Sequence, residues 1–183
     1  MPVSTGPLSQ IRVRPATPGD IPAIAEVGCE AFSGLRPLEN GRKWVEACFK
    51  GYPRMEYWVA ELGIEPQLAG YILWLEKGGF RREAVLELEQ IAVRHGSRGS
   101  GIGRELMLQS LRGVESRLQD RGSTLSVIEV TTGSEQGAVG FYQRTLGAAP
   151  VAKIPGLFRG DEWVLIARPS RDLANDHGRS SKA

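Results

Sequence analysis

RHGSRGSGIGREL, residues 94–106, sets four glycines among three arginines and then passes at once into a helical pattern. Glycine in an ordered loop loses more backbone freedom than alanine, so Gly99, Gly101 and Gly103 must supply positive φ angles or a close backbone approach. From Ile102 onward, Leu106, Met107, Leu111, Val114 and Leu118 recur at helical spacing up to a stop at Gly122. The stretch therefore predicts a loop-to-helix junction whose bare N–H groups face something negative. A dinucleotide fingerprint would need glycine where Arg104 stands, and a P-loop would need a Gly-Lys-Ser/Thr ending that this stretch lacks.

Upstream, AVLELEQIAV (84–93) reads as a strand. Strict alternation along it puts Glu87, Glu89, Ile91 and Val93 on one face, and Leu86, Leu88, Gln90 and Ala92 on the other. Two carboxylates on one face of a central strand need water, a partner or an altered pKa. Either a general base or a water-facing strand surface satisfies that pattern.

Further out, IRVRPAT (11–17) is a strand, and Thr17-Pro18 with Asp20 is a capping box that starts a helix with Ile21, Ile24, Ala25, Gly28, Ala31 and Phe32 on one face. A second helix is expected near Leu38–Lys50 with Trp44, Val45, Cys48 and Phe49 inward. MEYWVAEL (55–62) and LAGYILWLEK (68–77), joined by the turn-forming GIEPQ, suggest a hairpin. TLSVIEVTT (124–132) is a strand, SEQGAVGFYQRTLG (134–147) a helix, and VAKI and EWVLIARP are two last strands. The order β-α-α-β-β-β-α-β-α-β-β predicts an α/β fold, classed α+β in some schemes. Its central sheet of about seven strands is mixed and mostly antiparallel, with helices on both faces and one right-handed parallel crossover over residues 84–132. Residues 11–168 are expected to form one domain, with residues 1–10 and 169–183 mobile.

Composition narrows the function classes. A 183-residue chain with 41% hydrophobic and 24% charged residues is ordinary globular material. No apolar run approaches the roughly 20 residues that span a bilayer, so no membrane partner is expected. The opening MPVSTGPLSQ lacks a basic region followed by an apolar segment, which makes a cytoplasmic location the default. A net charge of +2 is too mild to argue for nucleic acid. Cys29 and Cys48 lack metal-ligand spacing and, with only two histidines, no metal site or Ser/His/Asp triad is expected. Trp44, Tyr57, Trp58 and Trp74 could line an acceptor pocket, though most of them read as core, and Lys77, Arg81 and Arg82 flank a solvated Gly78-Gly79 loop.

The pattern Arg98-Gly99-Ser100-Gly101-Ile102-Gly103, after a strand ending Ile91-Ala92-Val93 and before a helix, resembles the acetyl-coenzyme A motif of the GCN5-related N-acetyltransferase (GNAT) superfamily. The resemblance runs from Ile11 to about Ala167 and includes the helix-borne FYQRTLGA. It implies an acyl-CoA N-acyltransferase fold and direct acetyl transfer from acetyl-coenzyme A, the cosubstrate, to a primary amine. The diphosphate would lie on the amides of residues 98–103 with Arg98 and Arg104 adding charge, and Ile91, Ala92 and Val93 would hold the thioester end. Glu87 matches the base of the histone-acetylating branch, Glu89 the acidic position of many bacterial members, and Tyr142 the general acid. Glu135 stands where the family usually has asparagine. The acceptor is a small amine or a peptide N-terminus; the tail KIPGLFRGDEWVLIARP resembles that of members modifying protein N-termini, and a homodimer through the C-terminal strands is common in the superfamily. A coenzyme-binding module without catalysis and an enzyme using a longer acyl donor are the competing readings.

Overall fold

The computed structural model describes residues 11–63, 67–133, 136–158 and 160–169. Residues 1–10, all of the 169–183 tail beyond Pro169, most of the β-hairpin connection at 63–67, and Glu135 lie outside the described residues. In chain order the elements are β1 (Ile11–Pro15), α1 (Ile21–Ala31), α2 (Leu38–Phe49), β2 (Met55–Leu62), β3 (Gln67–Lys77), β4 (Glu83–Val93), α3 (Ile102–Asp120), β5 (Thr124–Gly133), α4 (Gln136–Leu146), β6 (Ala149–Ile154) and β7 (Glu162–Ala167).

The sheet runs β1-β2-β3-β4-β5-β7-β6, and only β4 and β5 are parallel neighbours. One face carries α3 and α4 over a core that includes Trp74, Leu86, Leu106, Met107 and Leu118; the other carries α1 and α2 over Ile24, Val45, Tyr57, Tyr71 and Leu73. Burying helix stripes on both sides of one sheet is what makes the alternating strands of the sequence stable. β7 inserts between β5 and β6, so the last strand in sequence is not the last in space.

Two local expectations change. The capping box forms, with the Thr17 amide and Oγ1 donating to the Asp20 carboxylate at 2.7 and 2.9 Å, but it closes a 3-10 turn at Pro18–Asp20 and the α-helix starts only at Ile21. Trp44 does not face inward. The buried stripe of α2 is Gly41, Val45 and Cys48, and Trp44, about 100° round the helix from Val45, is 50% exposed. Tyr57 and Trp74 are core residues as expected, and the half-buried Trp58 packs beneath Gly113 of α3.

Candidate active site

β4 does not alternate strictly. Its register against β3 runs Ile72↔Ile91, Leu73↔Gln90 and then Trp74↔Leu88, so Glu89 is an extra residue in a β-bulge. The bulge overturns the expected faces: Leu86 and Leu88 lie with Ile91 and Val93 toward the α3 side, whereas Ala92 is buried on the α1 side. Glu87 and Glu89 are thereby given different surroundings. Lys77 bridges Glu87 at 3.2 Å and Glu129 at 2.9 Å, so Glu87 is ion-paired. Glu89 has no ion-pair partner among the described residues. Glu89 is exposed on the wall of a cavity; partial desolvation by the groups around it, and then the neighbouring Glu87 charge, push its carboxyl up from its ordinary value, with Lys77 opposing.

Pairing between β4 and β5 ends at Leu88↔Val130. Beyond that point β4 has a neighbour only in β3. Arg94 donates its amide to Ala69 of β3 at 2.8 Å, and in an antiparallel ladder alternate residues share an edge. The Ala92 amide therefore also faces β3, while those of Ile91 and Val93 face the gap that β5 has left. Ala92, expected among the coenzyme contacts, offers neither its amide nor its buried side chain to that gap.

The gap opens on two cavities that meet at Ile91. One, of about 890 Å³, is lined by Val93, Arg98, Gly99, Gly101, Gly103 and Arg104, with Phe141 of α4 opposite. Gly99 and Gly101 take φ of +79° and +88°, which other residues adopt only with strain. Gly103 has an ordinary φ; a Cβ there would sit 3.4 Å from the Phe141 ring and narrow the cavity. Glu105 makes the first helical hydrogen bond, to Gly101 at 3.1 Å, so the amides of Ile102, Gly103 and Arg104 precede the ladder and add the positive end of the α3 dipole. Arg98 departs from expectation, because its amide already donates to His95 at 3.3 Å. Its Nε donates to the Val93 carbonyl at 3.3 Å. Ser100 is turned inward on the loop, donating its Oγ to Ser97 at 2.6 Å, and the Ile102 side chain is core.

The other cavity, about 840 Å³, is lined by Glu89, Gln90 and Tyr142 together with Phe32 after α1, Thr131 of β5 and Phe158 before β7. Tyr142 is 8% exposed, and burial pushes its phenol up to about 12, which keeps it protonated at neutral pH. Its hydroxyl has no hydrogen-bond partner within the protein among the described residues. Phe158 and Gln90 line this cavity and were not among the expected site residues. Phe158 left a signal, a large apolar side chain among Pro155, Gly156 and Gly160; Gln90 left none, because strict alternation turns it away. No group of three or more metal-ligating side chains occurs among the described residues, and no described helix is long and apolar enough to cross a membrane.

Compared with known proteins, residues 22–148 match the Acetyltransferase (GNAT) family. Among solved structures, a GNAT-family acetyltransferase from Desulfovibrio desulfuricans is 18% identical, with 87% of this chain and 99% of that one covered at a TM-score of 0.68. Spermidine/spermine N-acetyltransferase from Vibrio cholerae is 20% identical, with 91% and 97% covered at 0.68. Ribosomal-protein-alanine N-acetyltransferase from Brucella melitensis is 22% identical, with 86% and 99% covered at 0.66. Identities this low carry the fold. No curated protein matches the chain by sequence.

Proposed function

From the premise that this chain belongs to the GNAT acetyltransferase family, and so is an enzyme that moves acetyl groups from acetyl-coenzyme A to amines, we propose how its own residues divide that work. The free amides from Gly99 to Arg104, with the charges of Arg98 and Arg104, hold the diphosphate. The Ile91 and Val93 amides, left without a strand partner, hold the thioester carbonyl and the negative charge that develops on its oxygen. The coenzyme supplies an activated acetyl thioester and a sulfur that departs as thiolate.

On the acceptor side Glu89 takes a proton from the acceptor ammonium, freeing the nitrogen lone pair to attack. A carboxyl held above the ordinary range accepts that proton more readily than an unperturbed one. Tyr142 gives its proton to the departing sulfur and recovers one from the nitrogen as the amide forms. Glu87, tied to Lys77, is a neighbour that tunes Glu89 and not the base. The acceptor is the primary amine of a small molecule or of a peptide N-terminus, and the free thiols Cys29 and Cys48 fit a reducing, cytoplasmic setting.

One observation carries this reading: the two cavities join at Ile91, where unpartnered amides, Glu89 and Tyr142 converge. The test is acetyl transfer from acetyl-coenzyme A to a panel of amines, followed by mass shift, alongside calorimetry with coenzyme A. Transfer to at least one amine is expected. Binding of the coenzyme without transfer to any amine favours a non-catalytic module, and absence of binding by folded protein overturns the assignment of the glycine loop.

A further inference from the structure

Resting on the acetyl-transfer reading above, the geometry points to a narrower acceptor: we propose that Gln90, held by Tyr71, binds an oxygen next to the reacting amine, so that the acceptor is an α-amino carbonyl compound, a peptide N-terminus, and not a plain polyamine.

Gln90 follows the bulged Glu89, and both line the same cavity. In an unbroken strand consecutive side chains would point to opposite faces; the bulge lets two neighbours, with Cα atoms about 3.8 Å apart, serve one pocket. Their chemistries are complementary. Glu89 accepts hydrogen bonds, and the Gln90 amide can donate or accept, depending on which way it is turned.

The Tyr71 hydroxyl decides that orientation. Tyr71 is completely buried, and its hydroxyl makes a 3.0 Å hydrogen bond to Gln90 Oε1. Were the Tyr71 hydroxyl to accept from the Gln90 amide instead, its own proton would be left buried and unpaired, and Gln90 is its hydrogen-bond partner among the described residues. With Oε1 engaged there, the Gln90 NH₂ is the end left for the cavity, and it has no partner among the described residues. The seat of the hydroxyl is shaped by the absence of a side chain: a Cβ on Gly28 would come within 2.9 Å of it. The pocket thus offers a proton acceptor for an amine beside a donor for an oxygen. An α-amino carbonyl group presents those two functions on adjacent carbons. A polyamine would set ammonium or methylene groups against the Gln90 donor and leave it unpaired, and discrimination against a ligand lacking a hydrogen-bonding group is strong for this reason.

The experiment compares kcat/KM for alaninamide and for n-propylamine, which lacks the carbonyl, in the wild-type protein, Gln90→Leu, Tyr71→Phe and the double variant. The two amines differ in basicity, but that difference is common to every variant and cancels when their ratios are compared. Gln90→Leu is expected to lower the alaninamide-to-propylamine ratio roughly tenfold, mainly through KM. Tyr71→Phe is expected to lower it several-fold and to add nothing to Gln90→Leu, as a residue acting through another must. Gln90 is half-buried and retains its backbone pairing, so Gln90→Leu keeps the test alive if Tyr71→Phe fails to fold. Turnover of both amines with an unchanged ratio in Gln90→Leu overturns this proposal alone; no turnover of any amine by the wild-type protein overturns the acetyl-transfer reading with it.

Discussion

Glu89 and Glu87 are two positions apart on one strand and differ in what lies beside them. Lys77 neutralises Glu87, while Glu89, exposed on the cavity wall, is raised by partial desolvation and by the residual field of Glu87. A base raised in this way must be deprotonated to work, so kcat/KM falls as pH drops through its pKa, and this acid limb should lie above the ordinary carboxylate range. Lys77→Met removes the one charge that lowers Glu89, and the limb should move to higher pH. Glu89→Gln should abolish the limb and lower kcat by about 100-fold or more. Steady-state rates across pH check both, and a limb unmoved by Lys77→Met would separate Glu89 from the proton transfer. Tyr142 titrates near 12 and stays protonated through this range. Tyr142→Phe should lower kcat by about 100-fold with coenzyme A affinity by calorimetry nearly intact, since the ring remains in the core.

At the scale of elements, β4 and α3 line the candidate site between them, and the seating of α3 on the sheet depends on a small residue. Gly113 of α3 lies over Trp58 of β2, and a Cβ built on it would overlap the indole ring. Gly113→Ala should therefore lift α3 from the sheet and destabilise the fold by about 1–3 kcal/mol, read from the midpoint of urea unfolding. A neutral effect would mean that Trp58 has room to turn. The apolar period of α3 and the glycines before it were legible because both properties are local: side-chain spacing and backbone freedom belong to the segment itself. The bulge at Glu89 was not legible. It is a mismatch in count between β4 and β3, and neither strand carries it alone. Trp44 failed for a related reason, since apolar character does not say which of two adjacent helix positions the sheet will cover.

Across the whole molecule, the edge of the sheet is tied down by charge. Arg14 of β1 donates to Asp20 at 2.8 and 2.9 Å and to Glu61 of β2 at 2.6 and 2.9 Å, linking β1, β2 and the turn into α1. Hydrogen bonds from Arg14 hold the Asp20 carboxyl down to about 2 from its ordinary 3.8. A carboxyl depressed by folding stabilises the native state above its unfolded pKa, and that contribution is lost as pH falls from there through the folded value. Unfolding in urea should then show the wild-type protein losing about 1 kcal/mol more than Asp20→Asn between about pH 5 and pH 2, a figure reduced for solvent screening of a partly exposed pair. Equal losses would mean that the Arg14 network adds nothing to stability. The sequence by itself determined the element order, the parallel β4–β5 crossover and the glycine loop that opens into α3, because periodicity, turn chemistry and helix starts are properties of contiguous residues. Only the tertiary structure separated Glu89 from Glu87, turned the Ala92 amide toward β3, and set Gln90 beside Glu89 under the Tyr71 hydroxyl. Those outcomes depend on strand register and on which distant side chains share a cavity, and such relations exist only once the sheet has paired.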